Sequence, residues 1–251
     1  MSTVRAAAVA PAADAAPTET ASPSQRLRTA MALAFPALGT AGARLWEHPD
    51  LAVVYPRYLM SIHHVIRTSV PLMIEAADAL RRRPATDEQM ALADQMVAAY
   101  LDRHVQEEAG HDEWVLEDLE RLGILREAVL TAHPYPAAAE LAGPQYYYIR
   151  HHDPVAILGY IAQLEGYPPD EQALLSTAAR TGLPVTAFRT MRKHAHLDPH
   201  HRADLDHLLD TAPLGSHRSG LVLRSALDAA VSLITLIGQV TAGPPMAMPE
   251  A

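Results

Sequence analysis

Apolar residues recur at helical spacing along most of this chain, which limits the folds that are open to it. No stretch shows the sustained period-two alternation, rich in Val, Ile and Thr, of a half-buried strand. Start signals such as Asp50 and Ser216 and stop signals such as Gly123 and Gly182 divide the pattern. We predict helices at about 25–46, 50–83, 87–122, 136–151, 153–166, 169–181, 186–211 and 217–241. The pattern predicts an all-α bundle.

The two ends of the chain differ from this core in composition. Residues 1–23 are mostly Ala, Pro, Thr and Ser, which bury too little apolar surface to offset the entropy of ordering. They lack the apolar stretch of a secretory signal. We therefore predict a disordered tail at 1–23, a single domain at 24–242 and a flexible tail at 243–251.

Composition excludes several classes of protein. The 251 residues contain no Cys, which rules out disulfides, Zn–thiolate sites, iron–sulfur clusters and thiol nucleophiles. A formal net charge of -9 argues against a nucleic-acid partner. The longest apolar stretch, about 226–240, is interrupted by Asp228, Ser232 and Thr235, so we expect no membrane span. We expect a cytoplasmic protein.

The third predicted helix carries a Glu-x-x-His unit. Glu108 and His111 are spaced i, i+3, which on one helix would make them neighbours able to share a metal ion. His104 lies one turn earlier on the same stripe. With 14 Glu and 14 His in the chain, random placement gives roughly 0.8 such units, so a solvated charged face is an open alternative.

The seventh predicted helix has a more specific pattern. His194, Asp198 and His201 follow an i, i+4, i+7 spacing, which places them on one face over two turns. Random placement predicts roughly 0.05 such triplets, although a polar surface helix would look similar. Pro199 removes a backbone N–H, so we expect a kink or an opening beside Asp198.

Glu165 is the third element of a metal site. It ends a run of eleven residues that carry no charge, where a buried carboxylate is costly unless it is paired or binds a metal. The alternative is a terminal side chain that reaches solvent beside Gly166. Together the three patterns supply three His and three carboxylates, enough to hold two metal ions. This set suits Fe or Mn better than Zn or Cu.

These motifs and their flanks resemble the haem-oxygenase-like dimetal oxidases, often described as iron-containing redox enzymes and related to the TenA and PqqC proteins. The similar stretches are 107–123 (EEAGHDEWVLEDLERLG), 158–166 (LGYIAQLEG) and the His-x-x-x-Asp-x-x-His of 194–201. The resemblance covers roughly residues 45–240. It implies a haem-oxygenase-like bundle of seven to eight helices.

The resemblance also implies a chemistry and a set of ligands. Two Fe(II) ions would use O2 to oxidise a small molecule by C–H cleavage, desaturation, fragmentation, cyclisation or N-oxygenation, and a Mn/Fe pair is an alternative. We expect an amino acid or an amine as substrate, within specialised or natural-product metabolism. The metal ligands implied are Glu108, His111, Glu165, His194, Asp198 and His201.

Two further residues, His104 and Arg67, each have two alternative roles. Some family members carry a Glu seven residues before the His, where this chain has His104, so His104 is an alternative ligand or a neighbour of the ligands. Arg67 is a candidate substrate-binding residue, because a guanidinium pairs bidentately with a carboxylate. The alternative for Arg67 is a structural ion pair, such as one with Glu75.

Other interpretations of the sequence stay open. One is a metal-independent TenA- or PqqC-like enzyme, or a haem-binding relative with His63 or His64 as the axial ligand. Another is a non-catalytic helical scaffold whose His and carboxylates are dispensable. We expect the oxidase to be a homodimer that acts on a small-molecule substrate. An external electron donor is an additional partner that the chemistry leaves open.

Overall fold

A computed structural model describes residues 21–243, and every regular segment in that range is helical. Short 3₁₀ segments lie at Ala32–Ala34, Pro154–Ala156 and Val185–Phe188. The α-helices are α1 (Pro23–Met31), α2 (Phe35–Trp46), α3 (Leu51–Arg82), α4 (Glu88–Glu108), α5 (His111–Arg121), α6 (Arg126–Thr131), α7 (Pro136–His151), α8 (Ile157–Glu165), α9 (Glu171–Thr181), α10 (Arg189–Thr211) and α11 (Gly215–Ala242). The predicted all-α fold is confirmed.

The described helices outnumber the eight segments that periodicity predicts. The first predicted helix is interrupted by the 3₁₀ segment at Ala32–Ala34, and the third divides at Gly110 into α4 and α5. The six-residue helix α6 was not predicted, because it is too short to show a full apolar period. The other boundaries agree within a few residues.

Helix α1 begins inside the segment that was expected to be a disordered tail. The Ser22 hydroxyl accepts from the backbone N–H of Gln25, and the Gln25 side chain accepts from the backbone N–H of Ser22. This reciprocal cap and Pro23 at the first helical turn start the helix. Residues 1–20 and 244–251, which hold the rest of the two predicted tails, lie outside the described range.

Helices α8 and α11 cross with their backbones almost in contact. A Cβ atom added at Gly159 of α8 would lie 2.0 Å from the carbonyl oxygen of Val222 in α11. Glycine is therefore required at this crossing. Because Glu165 ends α8, the close crossing fixes the depth at which that carboxylate sits in the bundle.

Helix α11 is long and apolar enough to cross a bilayer by length and composition. That test alone is weak evidence, because core helices of folded domains also pass it. Here Val222 and Ala226 are buried where α11 packs on α8 and α7. Asp228, which interrupts the apolar run, accepts a hydrogen bond of 2.8 Å from the Tyr148 hydroxyl.

Three buried charges and one half-buried charge join distant parts of the bundle. Asp94 of α4 and Asp153, which caps the 3₁₀ segment before α8, each contact both Arg83 and Arg218. The distance from Arg218 Nη2 to Asp94 Oδ1 is 2.6 Å, and that from Arg83 Nη1 to Asp153 Oδ1 is 3.0 Å. Two positive and two negative groups thus compensate one another, as buried charges must.

Candidate metal centre

The Glu-x-x-His unit lies at a helix junction rather than along one helix. Helix α4 ends at Glu108, Ala109 is extended, and Gly110 has a φ of 85° before α5 begins at His111. The prediction of one continuous helix through 87–122 was therefore wrong at this point. The Glu108 Oε2 atom nevertheless lies 2.9 Å from His111 Nδ1, so the junction keeps the two side chains together.

A first group of ligand-type side chains contains His104, Glu108, Glu165 and His201, whose potential ligand atoms all lie within 4.8 Å of one another. They come from α4, α8 and α10. His104 Nε2 is 2.7 Å from Glu165 Oε1, and His201 Nδ1 is 3.4 Å from Glu108 Oε1. The structure thus brings the three separate sequence motifs into one cluster.

A second group contains Glu108, His111 and His194, again with potential ligand atoms within 4.8 Å of one another. The His194 Nδ1–H donates to the backbone carbonyl of Thr190 at 2.9 Å. This hydrogen bond leaves Nε2 of His194 as the atom able to bind a metal. Trp114 stacks on the His111 ring at 3.9 Å, and it thereby limits the orientations open to that imidazole.

Glu108 belongs to both groups. Its Oε1 atom faces His201 and its Oε2 atom faces His111. The side chain is buried, with 8% relative exposure. A carboxylate with one oxygen directed to each of two ligand sets is suited to hold two metal ions at once.

Asp198 faces the same space but is outside both groups. It is buried, and its Oδ1 atom makes no hydrogen bond within residues 21–243. Burial, together with the negative charges of Glu165 and Glu108, raises the pKa of this carboxyl to about 8. Helix α10 continues through Pro199 as regular α-helix, so the opening expected at Asp198 is not observed.

The imidazoles and carboxylates of the cluster perturb one another. Burial opposes the charged form of His104, but the hydrogen bond and charge of Glu165, with further help from Glu108, raise its pKa to about 9. Burial acts to raise the pKa of Glu108, but the hydrogen bond from His111 and the charges of His111, His194 and His104 together lower it. The pKa shifts thus favour a protonated His104 and an ionised Glu108 close together in a buried place.

Several buried polar atoms of the cluster lack a hydrogen-bond partner in the described part of the chain. A metal ion is a natural partner for such atoms, because buried polar atoms otherwise carry a large desolvation cost. Nitrogen and carboxylate oxygen donors without sulfur fit iron or manganese. The atoms concerned are Glu108 Oε1, Glu165 Oε2, Asp198 Oδ1 and His201 Nδ1.

A cavity of about 920 Å³ opens onto this cluster. Glu108, Glu165, His194 and Asp198 form part of its wall, and most of the rest is apolar. Gln163 and Thr190 also line it, although sequence analysis did not identify them. The sequence does contain a signal for Gln163, because Gln163 and Tyr160 are the two polar side chains in an otherwise apolar stretch between Pro154 and Glu165.

The remaining candidates lie away from the cavity. Arg67 is exposed on α3 and is not part of the cavity wall, so the structure gives this candidate substrate-binding residue no contact with a molecule bound there. The alternative ion pair is also absent from the described residues, since Glu75 pairs with Arg150. His63 and His64 are buried on α3 but outside the cavity wall.

Solved structures place the fold in a known class. A domain of unknown function with a heme oxygenase-like fold from Shewanella denitrificans matches with a TM-score of 0.69 and 19% identity, over 86% of this chain and 89% of that one. A TenA homologue from Pseudomonas syringae pv. tomato matches with a TM-score of 0.59 and 12% identity, over 83% and 90%. This is a haem-oxygenase-like all-α fold.

Sequence comparison adds the family. A family model described as iron-containing redox enzyme matches residues 89–226, more than half of the chain and the range that holds all six predicted ligands. The chain belongs to this family of iron-containing redox enzymes, which confirms the predicted resemblance. A comparison with curated proteins finds no match.

Proposed function

We propose that this protein is a non-haem diiron oxidase or oxygenase that uses O2 to oxidise a small organic molecule. The observation that carries the proposal is the position of Glu108 between two groups of His and carboxylate ligands. One carboxylate with an oxygen toward each group supports a pair of ions more readily than a single ion. The iron-containing redox family supports iron as the metal.

Each ligand has a role in this proposal. His104, Glu165 and His201 would hold the first iron, His111 and His194 would hold the second, and Glu108, which belongs to both groups, would serve both. Asp198 adds a carboxylate at the edge of the cavity. The inclusion of His104 differs from the ligand set expected at first, in which it was an alternative. Once bound, iron supplies the redox chemistry with O2 that no side chain of this cluster has.

The protein itself would exclude water and keep the imidazoles in position. Tyr100 stacks on His104 with ring centroids 5.4 Å apart, and Trp114 covers His111. The backbone carbonyl of Thr190 holds the proton of His194 on Nδ1. These contacts orient the ligand nitrogens before a metal arrives, which lowers the reorganisation needed on binding.

The alternative functions are less well supported. The haem-binding alternative relied on His63 or His64 as the axial ligand, and neither of them lines the described cavity. A metal-independent enzyme or a scaffold would leave the buried atoms of Glu108 and Glu165 without the partner that their burial calls for.

An anaerobic titration tests the proposal. Chelator-treated protein is titrated with Fe(II), desalted, and mixed with O2 while absorbance is followed by stopped flow. We expect two irons per chain and an absorbance change that requires both iron and O2. Protein that retains no iron after desalting, or that binds iron without any reaction with O2, would refute the diiron oxidase.

A further inference from the structure

The cavity that reaches the metal centre is wide and mainly apolar. Its volume of about 920 Å³ lies in the range of pockets that enclose drug-sized ligands. Its wall is built from α2, α3, α4, α8, α10 and α11. The large apolar side chains of this wall include Phe35, Trp46, Ile62, Ile66, Leu233 and Ile237.

Charge is confined to one end of this cavity. Among the described residues that line it there is no Arg and no Lys, and its carboxylates and imidazole belong to Glu108, Glu165, Asp198 and His194. A free amino acid bound in the apolar part would place an ammonium and a carboxylate where no opposite charge meets them. Burying such unpaired charges is strongly unfavourable.

A buried polar atom without a partner lies near the charged end. Gln163 is 3% exposed, and its Oε1 atom makes no hydrogen bond to any residue from 21 to 243. It lines the cavity two residues from Glu165 on α8. Thr190 also lines the cavity, but its hydroxyl lies beside Asp118, whose carboxylate accepts from the Thr190 backbone N–H at 2.7 Å. A bound molecule whose polar head donates a hydrogen bond would satisfy the Gln163 oxygen.

We propose that the cavity binds a predominantly hydrocarbon molecule with one small polar head that carries a hydrogen-bond donor. The apolar body lies between α2, α3 and α11, and the head meets Gln163 beside the metal ligands. As a proposal about the substrate, this ligand class rests on the proposed oxidase function. It differs from the substrate expected from the sequence, an amino acid or an amine. Binding of the molecule itself does not require iron, because the apolar walls belong to the protein.

Metal-free protein provides the first test. Binding of 1-decanol, decyl methyl ether and L-lysine is measured by calorimetry and by tryptophan fluorescence, to which Trp46 in the cavity wall contributes. We expect 1-decanol to bind about three- to tenfold more tightly than the ether, which lacks the donor proton. L-lysine should not bind. Equal affinity for alcohol and ether, or binding of L-lysine in this cavity, would overturn the proposal.

A matched pair of variants locates the site. Leu233 lines the cavity, whereas Val231, two residues earlier on α11, is 64% exposed and outside it. Leu233→Asp should weaken 1-decanol binding at least about tenfold, because a buried carboxylate would face the alkyl chain, and Val231→Asp should leave it unchanged. Equal losses in both variants would contradict this site.

A variant of Gln163 tests the head group. In Gln163→Leu the preference for 1-decanol over decyl methyl ether should disappear while the ether still binds. This readout compares two ligands on one folded protein, so it holds even if Leu233→Asp fails to fold. A preference that survives in Gln163→Leu would exclude the Gln163 contact. Iron titration is independent of all three tests, so a protein that binds 1-decanol but not iron would refute the oxidase and not the ligand class.

Discussion

Glu108 and His111 meet across a helix junction, with Oε2 of the carboxylate 2.9 Å from Nδ1 of the imidazole. Their three-residue spacing would also make them neighbours on a continuous helix. The junction instead turns the chain at Gly110, so that His111 starts a new helix. The observed junction therefore depends on the backbone of the two residues between them, the extended Ala109 and the left-handed Gly110.

Substitution of Gly110 should therefore harm both stability and the metal centre. Its φ of 85° is a left-handed conformation that costs a residue with a Cβ about 1–2 kcal/mol. A Cβ at this position would meet no other atom within 4 Å, so the cost of Gly110→Ala is conformational rather than steric. We expect urea unfolding to show this loss and iron retention to fall.

Gly220→Ala is the opposite control. Gly220 lies exposed within α11, and an added Cβ has open space there. Alanine should stabilise the helix by about 0.5–1 kcal/mol and leave iron retention unchanged. A loss of stability no larger in Gly110→Ala than in Gly220→Ala would show that the junction is not a conformational constraint.

Removal of the Glu108 carboxylate should affect both irons. Because Glu108 is shared by the two groups, Glu108→Ala should retain little iron, whereas His111→Ala should lose only the second ion and keep about half. Iron per chain is measured after desalting, with circular dichroism as a check of folding. Glu120→Ala, which changes an exposed carboxylate on α5, should bind iron like the parent protein. Equal iron content in Glu108→Ala and His111→Ala would argue against a shared ligand.

Arg28 should stabilise the position of the helix that carries His201. Its Nε and Nη2 atoms donate to Asp206 of α10 at 3.0 and 2.8 Å, and Nη1 donates to the carbonyl of Ala162 in α8 at 3.0 Å. Arg28→Met should cost about 1–3 kcal/mol, because these are charge-assisted hydrogen bonds in a part-buried place. Amide hydrogen exchange in α10 should accelerate.

The control for Arg28 is Arg82→Met. Arg82 is 70% exposed, and its nitrogen lies 3.7 Å from Asp78, a surface pair with little effect on stability. We expect the free energy of unfolding to change by no more than about 0.5 kcal/mol and amide hydrogen exchange in α10 to stay the same. Comparable destabilisation by the two variants would show that Arg28 has no special role.

His63 should make the protein less stable in acid. Burial, with the nearby His64 and the charge of Arg67, lowers its pKa from 6.5 to about 4, although Asp112 and Glu113 act in the opposite direction. Between these pKa values the unfolded chain binds a proton that the folded chain does not. Stability therefore falls as pH decreases from about 6.5 toward 4, with a loss of about 2 kcal/mol by pH 5.

Replacement of this imidazole should reduce the acid sensitivity. Between pH 7.5 and pH 5, the free energy of unfolding of metal-free His63→Leu should fall by about 2 kcal/mol less than that of the parent protein, because Leu has no proton to gain. Urea unfolding at the two pH values measures this difference. His133→Leu, which changes an exposed imidazole, should follow the parent. An unchanged pH dependence in His63→Leu would exclude this group as the origin.

Local patterns in the sequence determined much about this protein. Helical periodicity reports which face of each segment is apolar, so it predicted an all-α bundle and most helix positions. The absence of Cys and the His and carboxylate spacings limited the metal chemistry. The family was identified from the motifs around Glu108, Glu165 and His194. Each of these properties depends on neighbouring residues or on composition.

Tertiary structure alone decided how the motifs meet. The junction at Gly110 was hidden, because an i, i+3 spacing is compatible with both a continuous helix and a turn. The pairing of His104 with Glu165 joins residues 61 positions apart, and the exposure of Arg67 depends on packing between helices. Distances between separate helices arise from how their side chains interlock, which no local pattern encodes. For the same reason, only the packed bundle defined the apolar cavity and the shared position of Glu108.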